Sequence, residues 1–176
     1  ITQVVKERTG EIMFGLNMVV HKGKTIFVGD TSVHEYPTSK QLSEIAISSA
    51  RVVRLFGFNP KVAFVSHSTF GQPLTSRTKH IKEAVEILKE RKVDFEFDGD
   101  MQPDVALNEE YKSLYPFSKI VGNANILIMP GQHSAAISYK LMKTIGDTKV
   151  IGPLLIGLGL PIEIAPLRSS TSEILN

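Results

Sequence analysis

The sequence predicts a three-layer α/β/α domain with a mostly parallel sheet and one β-hairpin. Three observations carry that expectation. Short apolar runs alternate with amphipathic stretches from Lys61 to Gly146, the pattern of strand, crossover helix and parallel strand. Two further apolar runs near the start are separated by only His21-Lys22-Gly23, which suits a hairpin connection. Hydrophobic residues make up 42% of the 176 and charged residues 22%, the balance of one globular domain spanning residues 1–176.

Glu11 to Val20 and Lys24 to Val28 read as the two hairpin strands. After Pro37, Thr38 is followed three residues later by Gln41, a capping box that opens a helix. Leu42, Ile45, Ala46, Val53 and Phe56 share one face of it, and Gly57 and Pro60 end it. Lys61 to Val65 is a continuous apolar run, as a strand buried on both faces requires. Thr75 or Ser76 caps the next helix, whose inner face is Ile81, Ala84, Val85 and Leu88. Val93 to Phe97 reads as a strand that stops at Asp98-Gly99-Asp100, with a short helical stretch from Asp104 to Tyr111. Asn125 to Met129 is another strand, halted by Pro130-Gly131. Ser134 to Ile145 is helical, with Ile137, Leu141 and Ile145 aligned and Gly146 as the C-cap. Val150 to Leu155 and Ile162 to Ile164 are the last strands.

Several function classes drop out. The chain has no cysteine, which removes disulfide scaffolds, thiol nucleophiles and thiolate metal sites. Its 20 basic and 18 acidic residues leave a formal charge of +2, no electrostatic footprint for nucleic acid. The longest apolar stretch, Ile151 to Pro161, is too short to span a bilayer and is broken by glycine and proline. The opening residues carry charges where a signal peptide needs an apolar segment, so no membrane partner and a cytoplasmic setting are expected. The chain opens on Ile1 and closes on what reads as a helix cut short, and is expected to be part of a longer protein. His67, His80 and His133 are too scattered for metal-ligand spacing, so no metal site is expected here. Neither a Walker loop nor a G-x-G-x-x-G turn is present. The stretch from Arg77 to Lys92 mixes Lys with Glu and reads as a solvated helix face.

In open α/β sheets, ligands gather where strand ends meet helix starts. Three such edges are legible: Ser66 to Gly71, Asp98 to Gln102, and Met129 to Gln132. Their hydroxyls, amides and glycines suit an anion such as phosphate, and they equally suit turns and caps. Ser66 and Ser68 flank His67, but no G-x-S-x-G elbow accompanies them.

The segments Phe27 to Thr31, Lys61 to Gly71, Phe97 to Leu107, Gly122 to Pro130, Ile137 to Lys140 and Ile151 to Gly157 run in order along the chain. Together they resemble the phosphate acetyl/butyryltransferase (phosphotransacetylase) family, and correspond to the second lobe of its domain. The Ser-x-Ser-x-Phe-Gly loop at Ser66 to Gly71, Asp98 to Met101 and Tyr115 to Lys119 are similar to the branch at the C-terminus of NADP-dependent malic enzymes. That resemblance implies a regulatory, non-catalytic domain that senses acetyl-CoA, within a homo-oligomer. NADP and a divalent metal are expected only in the malate-decarboxylating part beyond this chain. Two alternatives stay open: a working acyltransferase that moves acyl groups between CoA and phosphate, and an oligomerisation module.

Phosphotransacetylases carry a Ser-Arg pair after the last strand, and an Asp a few residues on. Aligned without gaps, the pair falls on Pro166 and Leu167, and the Asp on Glu173. Proline has no hydroxyl, and leucine cannot neutralise a phosphate or thiolate. Arg168 stands one residue away from the lost arginine. The resemblance and the strand-end rule together point to Ser66, Ser68, Thr69 and Gly71 for phosphate or pantetheine contacts. Asp98 and Gln102 are expected to line the cleft, Arg168 to pair with a CoA phosphate, and Glu173 to orient it.

Overall fold

A computed structural model describes residues 5–73, 75–165, 169 and 171. The hairpin comes first. Strand β1 (Phe14–His21) turns through Lys22 and Gly23, both with positive φ, into β2 (Lys24–Gly29). Two left-handed residues match the twist of antiparallel strands, and they set His21 opposite Lys24.

Helix α1 (Ser39–Leu55) starts at the expected capping box. Gln41 N donates to Thr38 Oγ1 at 3.2 Å, and Thr38 N donates to Gln41 Oε1 at 2.8 Å. Leu42, Ile45, Ala46 and Val53 are buried as their spacing predicts. Phe56 is not on that inner face: it falls at the C-cap and is 45% exposed, with its ring 5.8 Å from Phe27. Strand β3 (Lys61–Val65) follows, then α2 (Ser76–Glu90), capped by Thr75. Its predicted face, Ile81, Ala84, Val85 and Leu88, is buried.

Strand β4 runs Glu96–Met101, further than the sequence suggests. Asp98-Gly99-Asp100 is not a turn but part of the strand, because Gly99 lacks a side chain. A Cβ there would sit 2.7 Å from Phe64 Cβ, so only glycine lets the chain lie against β3 and continue to the Val65–Met101 pairing. The short helical stretch is split into α3 (Pro103–Leu107) and α4 (Glu109–Lys112). Strand β5 (Ile126–Ile128), helix α5 (Gln132–Ile145), β6 (Thr148–Ile156) and β7 (Ile162–Glu163) complete the order.

The strands form one sheet in the order β4-β3-β5-β2-β1-β6-β7. The β4-β3-β5-β2 part is parallel, and the β2-β1-β6-β7 part is antiparallel. The antiparallel share exceeds the expected hairpin because β6 returns beside β1 rather than beside a parallel strand.

Two apolar layers sandwich the sheet. Phe14, Phe27, Phe64, Ile126 and Ile128 pack with α1 and α2 on one face. Val28, Ala63, Val65 and Leu127 pack with residues of α3 and α5 on the other. Consecutive strand residues therefore serve opposite layers, which is why these strands read as unbroken apolar runs.

One alignment faces the other way. Ile137, Leu141 and Ile145 share a face of α5, but that face is exposed, at 59%, 52% and 82%. Ala135, Tyr139 and Met142 meet the sheet layer instead. No described helix is long and apolar enough to cross a membrane.

Candidate functional site

The four parallel strands end on one edge, and the loops that follow them meet there. The β3 and β4 loops are knitted together by the backbone. Ser66 N donates to Met101 O at 2.9 Å and Phe70 N to Asp100 O at 2.6 Å. Phe70 and Gly71 both take positive φ, which folds Thr69 back onto Gln72. Gln102 N then donates to Thr69 Oγ1 at 3.2 Å, and Gln102 Nε2 to His67 O at 3.1 Å.

Beneath this loop pair lies Asp100, fully buried. Ser68 donates its hydroxyl proton to Asp100 Oδ2. Asp100 Oδ1 is buried with no partner among the described residues. Ser66 Oγ lies 3.4 Å from both Ser68 Oγ and His67 Nδ1, too long to activate a nucleophile. Ser66 and Gln102 are half-buried, whereas Ser68 and Thr69 are buried.

The β2 end builds the second wall. Asp30 is 1% exposed and accepts from the backbone N–H groups of Gly15, Ser32, Val33 and His34. His34 Nδ1 lies 2.7 Å from Asp30 Oδ2; an ionised carboxylate only accepts, so Nδ1 carries the proton. Burial works against the ionised form of Asp30, but the bonds from the His34 ring and from the amides of Ser32, Gly15 and His34 outweigh it. They hold the carboxyl below its ordinary value. Beside it, Thr31 donates its hydroxyl proton to Asn17 Oδ1 at 2.5 Å. The start of α5 presses on this wall: Gln132 N donates to His34 O at 2.9 Å, and a Cβ on Gly131 would meet Glu35 O at 2.3 Å.

The structure thus gathers Ser66, Ser68, Thr69 and Gln102 around Asp100, with Gly71 buried at the loop's turn. It sets Asp98 apart. That carboxylate accepts from Gly99 N at 3.0 Å and Lys119 N at 2.7 Å. It lines a separate hollow of about 350 Å³ with Lys82, Lys89, Lys119, Phe70 and Phe117. Arg168 and Glu173, like Pro166 and Leu167, lie outside the described residues. Sequence reasoning passed over Asp30, Asn17 and Asp100 as site-shaping residues. A signal was there in the repeated Gly-Asp pair, Gly29-Asp30 and Gly99-Asp100, each at the end of a parallel strand.

Chemically, the edge offers neutral hydroxyl and amide donors over two buried carboxylates, Asp30 engaged through both oxygens and Asp100 through one. Such an arrangement suits the binding of polar groups; within it the Ser68 hydroxyl is set against the Asp100 carboxylate, and both are fully buried. No described cluster of His, Asp or Glu could hold a metal ion.

The whole chain, residues 1–176, matches the family described as phosphate acetyl/butaryl transferase. An NADP-dependent malic enzyme of Rhizobium meliloti is 41% identical over 176 residues, which cover 100% of this chain and 23% of that protein. A phosphate acetyltransferase of Clostridium acetobutylicum is 34% identical over 184 residues, 99% of this chain and 55% of that protein. Among solved structures, a phosphotransacetylase from Streptococcus pyogenes superposes with a TM-score of 0.90 at 30% identity. That match covers 98% of this chain and 54% of the other. The chain therefore spans about a quarter of the malic enzyme and about half of the two acyltransferases.

Proposed function

Because this chain belongs to the phosphate acetyl/butaryl transferase family, we propose that it is the acetyl-CoA-sensing, non-catalytic lobe of an NADP-dependent malic enzyme. One observation carries the choice of sensing over catalysis. Where the acyltransferase pattern requires Ser-Arg, this chain has Pro166-Leu167. An acyl transfer site must steer a thiolate onto a carbonyl, and neither residue offers charge or a hydroxyl for that. The relation to a malic enzyme along the full chain supports the context.

In this reading Ser66 and Gln102 contact the pantetheine or phosphate of the ligand. Ser68 and Thr69 hold the loops in place for them, since their hydroxyls already bond within the edge. Gly71 shapes the loop, Arg168 pairs with a CoA phosphate and Glu173 orients it. Asp98 holds Lys119 rather than ligand. Binding that favours one domain arrangement shifts the equilibrium by its differential affinity, typically about 1–3 kcal/mol. NADP and a divalent metal belong to the malate-decarboxylating part beyond this chain. Among the described residues no cluster of His, Asp or Glu could hold a metal ion.

The second reading, a working phosphate acyltransferase, draws on the 34% identity to the clostridial enzyme and on Arg168 one residue off register. The two are separated by measuring thiol release from acetyl-CoA on adding phosphate, with the upstream lobe restored. The expected result is acetyl-CoA binding by calorimetry without phosphate-dependent release. Gln102→Ala should weaken that binding by roughly 5-fold, the worth of one hydrogen bond of about 1 kcal/mol. Sustained release overturns the sensing reading, and no binding at all leaves the oligomerisation module.

A further inference from the structure

The hollow of about 350 Å³ beside edge strand β4 combines an aromatic wall with a cationic one. Phe117 is 63% exposed, yet its ring is held in place. It stands edge-on to Phe70 at 4.8 Å and to Tyr115 at 6.1 Å, and those two rings lie 5.5 Å apart. The turn that carries it is pinned on both sides. Ser118 N donates to Tyr115 O at 3.0 Å, and Lys119 N to Asp98 Oδ2 at 2.7 Å. A fixed aromatic ring left largely exposed is a platform on which another flat ring can stack.

The charges of the hollow do not balance. Three lysines, Lys82, Lys89 and Lys119, stand against two carboxylates, and both carboxylates are engaged. Glu86 pairs with Lys89. Asp98 accepts from Gly99 N through Oδ1 and from Lys119 N through Oδ2. Lys82 is half-buried on α2 and Lys119 is exposed. Neither ammonium forms an ion pair among the described residues. A solvated helix face accounts for Glu86 and Lys89, but it leaves Lys82 and Lys119 lining the hollow without a counter-charge.

We propose that this hollow binds a mononucleotide, its base stacked on Phe117 and its phosphate between Lys82 and Lys119. The lysines alone would admit any small anion, and the rings alone any flat apolar molecule. A ring joined to a phosphate uses both. A volume of about 350 Å³ is at the lower end for ligand pockets, which suits one base, sugar and phosphate and is too small to enclose a whole CoA. Lysine holds phosphate as a point charge, so the site needs neither a Walker loop nor a G-x-G-x-x-G turn. Neither Ser66 nor Gln102 lines the hollow, so this site is independent of the acetyl-CoA reading.

The test is equilibrium dialysis of the full chain against 5′-AMP, adenosine and inorganic phosphate. Saturable AMP binding is expected, at least ~10-fold tighter than that of adenosine or phosphate. Phe117→Ala should raise the AMP Kd by ~10-fold through lost stacking. Lys82→Ala and Lys119→Ala should each raise it by ~5-fold and flatten its dependence on salt. Lys40→Ala removes the same charge from an exposed position on α1 and should leave the Kd unchanged. All four variants should keep the parent's circular dichroism spectrum. The absence of saturable AMP binding overturns the proposal. So does binding that adenosine or phosphate equals, or AMP binding that persists unchanged in Phe117→Ala and both lysine variants. Acetyl-CoA calorimetry reads the strand-end edge separately, so either result leaves that reading as it stood.

Discussion

Asp30 concentrates five hydrogen bonds on one buried carboxylate, and so ties β1, β2 and the loop before α1 together. Asp30→Asn would point an N–H group at donors already there, and should cost about 3 kcal/mol by urea denaturation. Its pKa is depressed in the fold, so its contribution is complete above the unfolded value of about 4 and is lost as pH falls through the folded value. The variant should therefore lose less stability than the parent between neutral pH and pH ~3. Lys112 presents the opposite case. It is 8% exposed, with Nζ unpartnered among the described residues. Burial, helped by the nearby charge of Lys61, lowers its pKa. The unfolded state then holds the proton more tightly, so stability should rise as pH climbs from the folded value toward about 10.4. Lys112→Met should raise the urea midpoint at neutral pH and abolish that rise. Neither role was legible in the sequence, which displays charge but not how deeply a charge is buried.

At the scale of elements, caps and turns were the most readable features. Thr38 and Gln41 carry their chemistry in their spacing, and Thr38→Ala should cost about 1 kcal/mol by thermal or urea denaturation. The Lys22-Gly23 turn was equally local. What failed to be legible was direction. Periodicity tells that Ile137, Leu141 and Ile145 share a face, but not which face meets the sheet. Ala135, with the flat ring of Tyr139 and the pliable Met142, fits against the strands, and that choice depends on residues far away in sequence. The Asp98-Gly99-Asp100 stretch failed for a related reason. Its composition is that of a turn, and only the contact with Phe64 reveals a strand.

For the molecule as a whole, alternation of runs and helices established the layered fold, and the ordered segments placed it in its family. Sheet order was less accessible, because the pairing of β1 with β6 depends on contacts between chain ends rather than on any local pattern. Two of the three edges legible in the sequence, Ser66 to Gly71 and Asp98 to Gln102, come together in the fold, while the place of Asp100 beneath them was hidden by the same turn-like spelling. A chain shortened to end at Gly146 loses β6 and β7, and so the partner of β1 on its far side. It should show no cooperative unfolding transition by circular dichroism.

That pairing sets a schedule during synthesis. His21 and Thr148, which meet at its far end, are separated by 127 positions. At ribosomal rates of roughly 5–20 residues per second, the wait is on the order of ten seconds. Through that interval the first hairpin leaves the ribosome with one flank of N–H and C=O groups unmatched, an open template for any neighbouring nascent strand. Within the hairpin, β1 is thus sealed after β2, whose outer partner β5 is complete at Ile128.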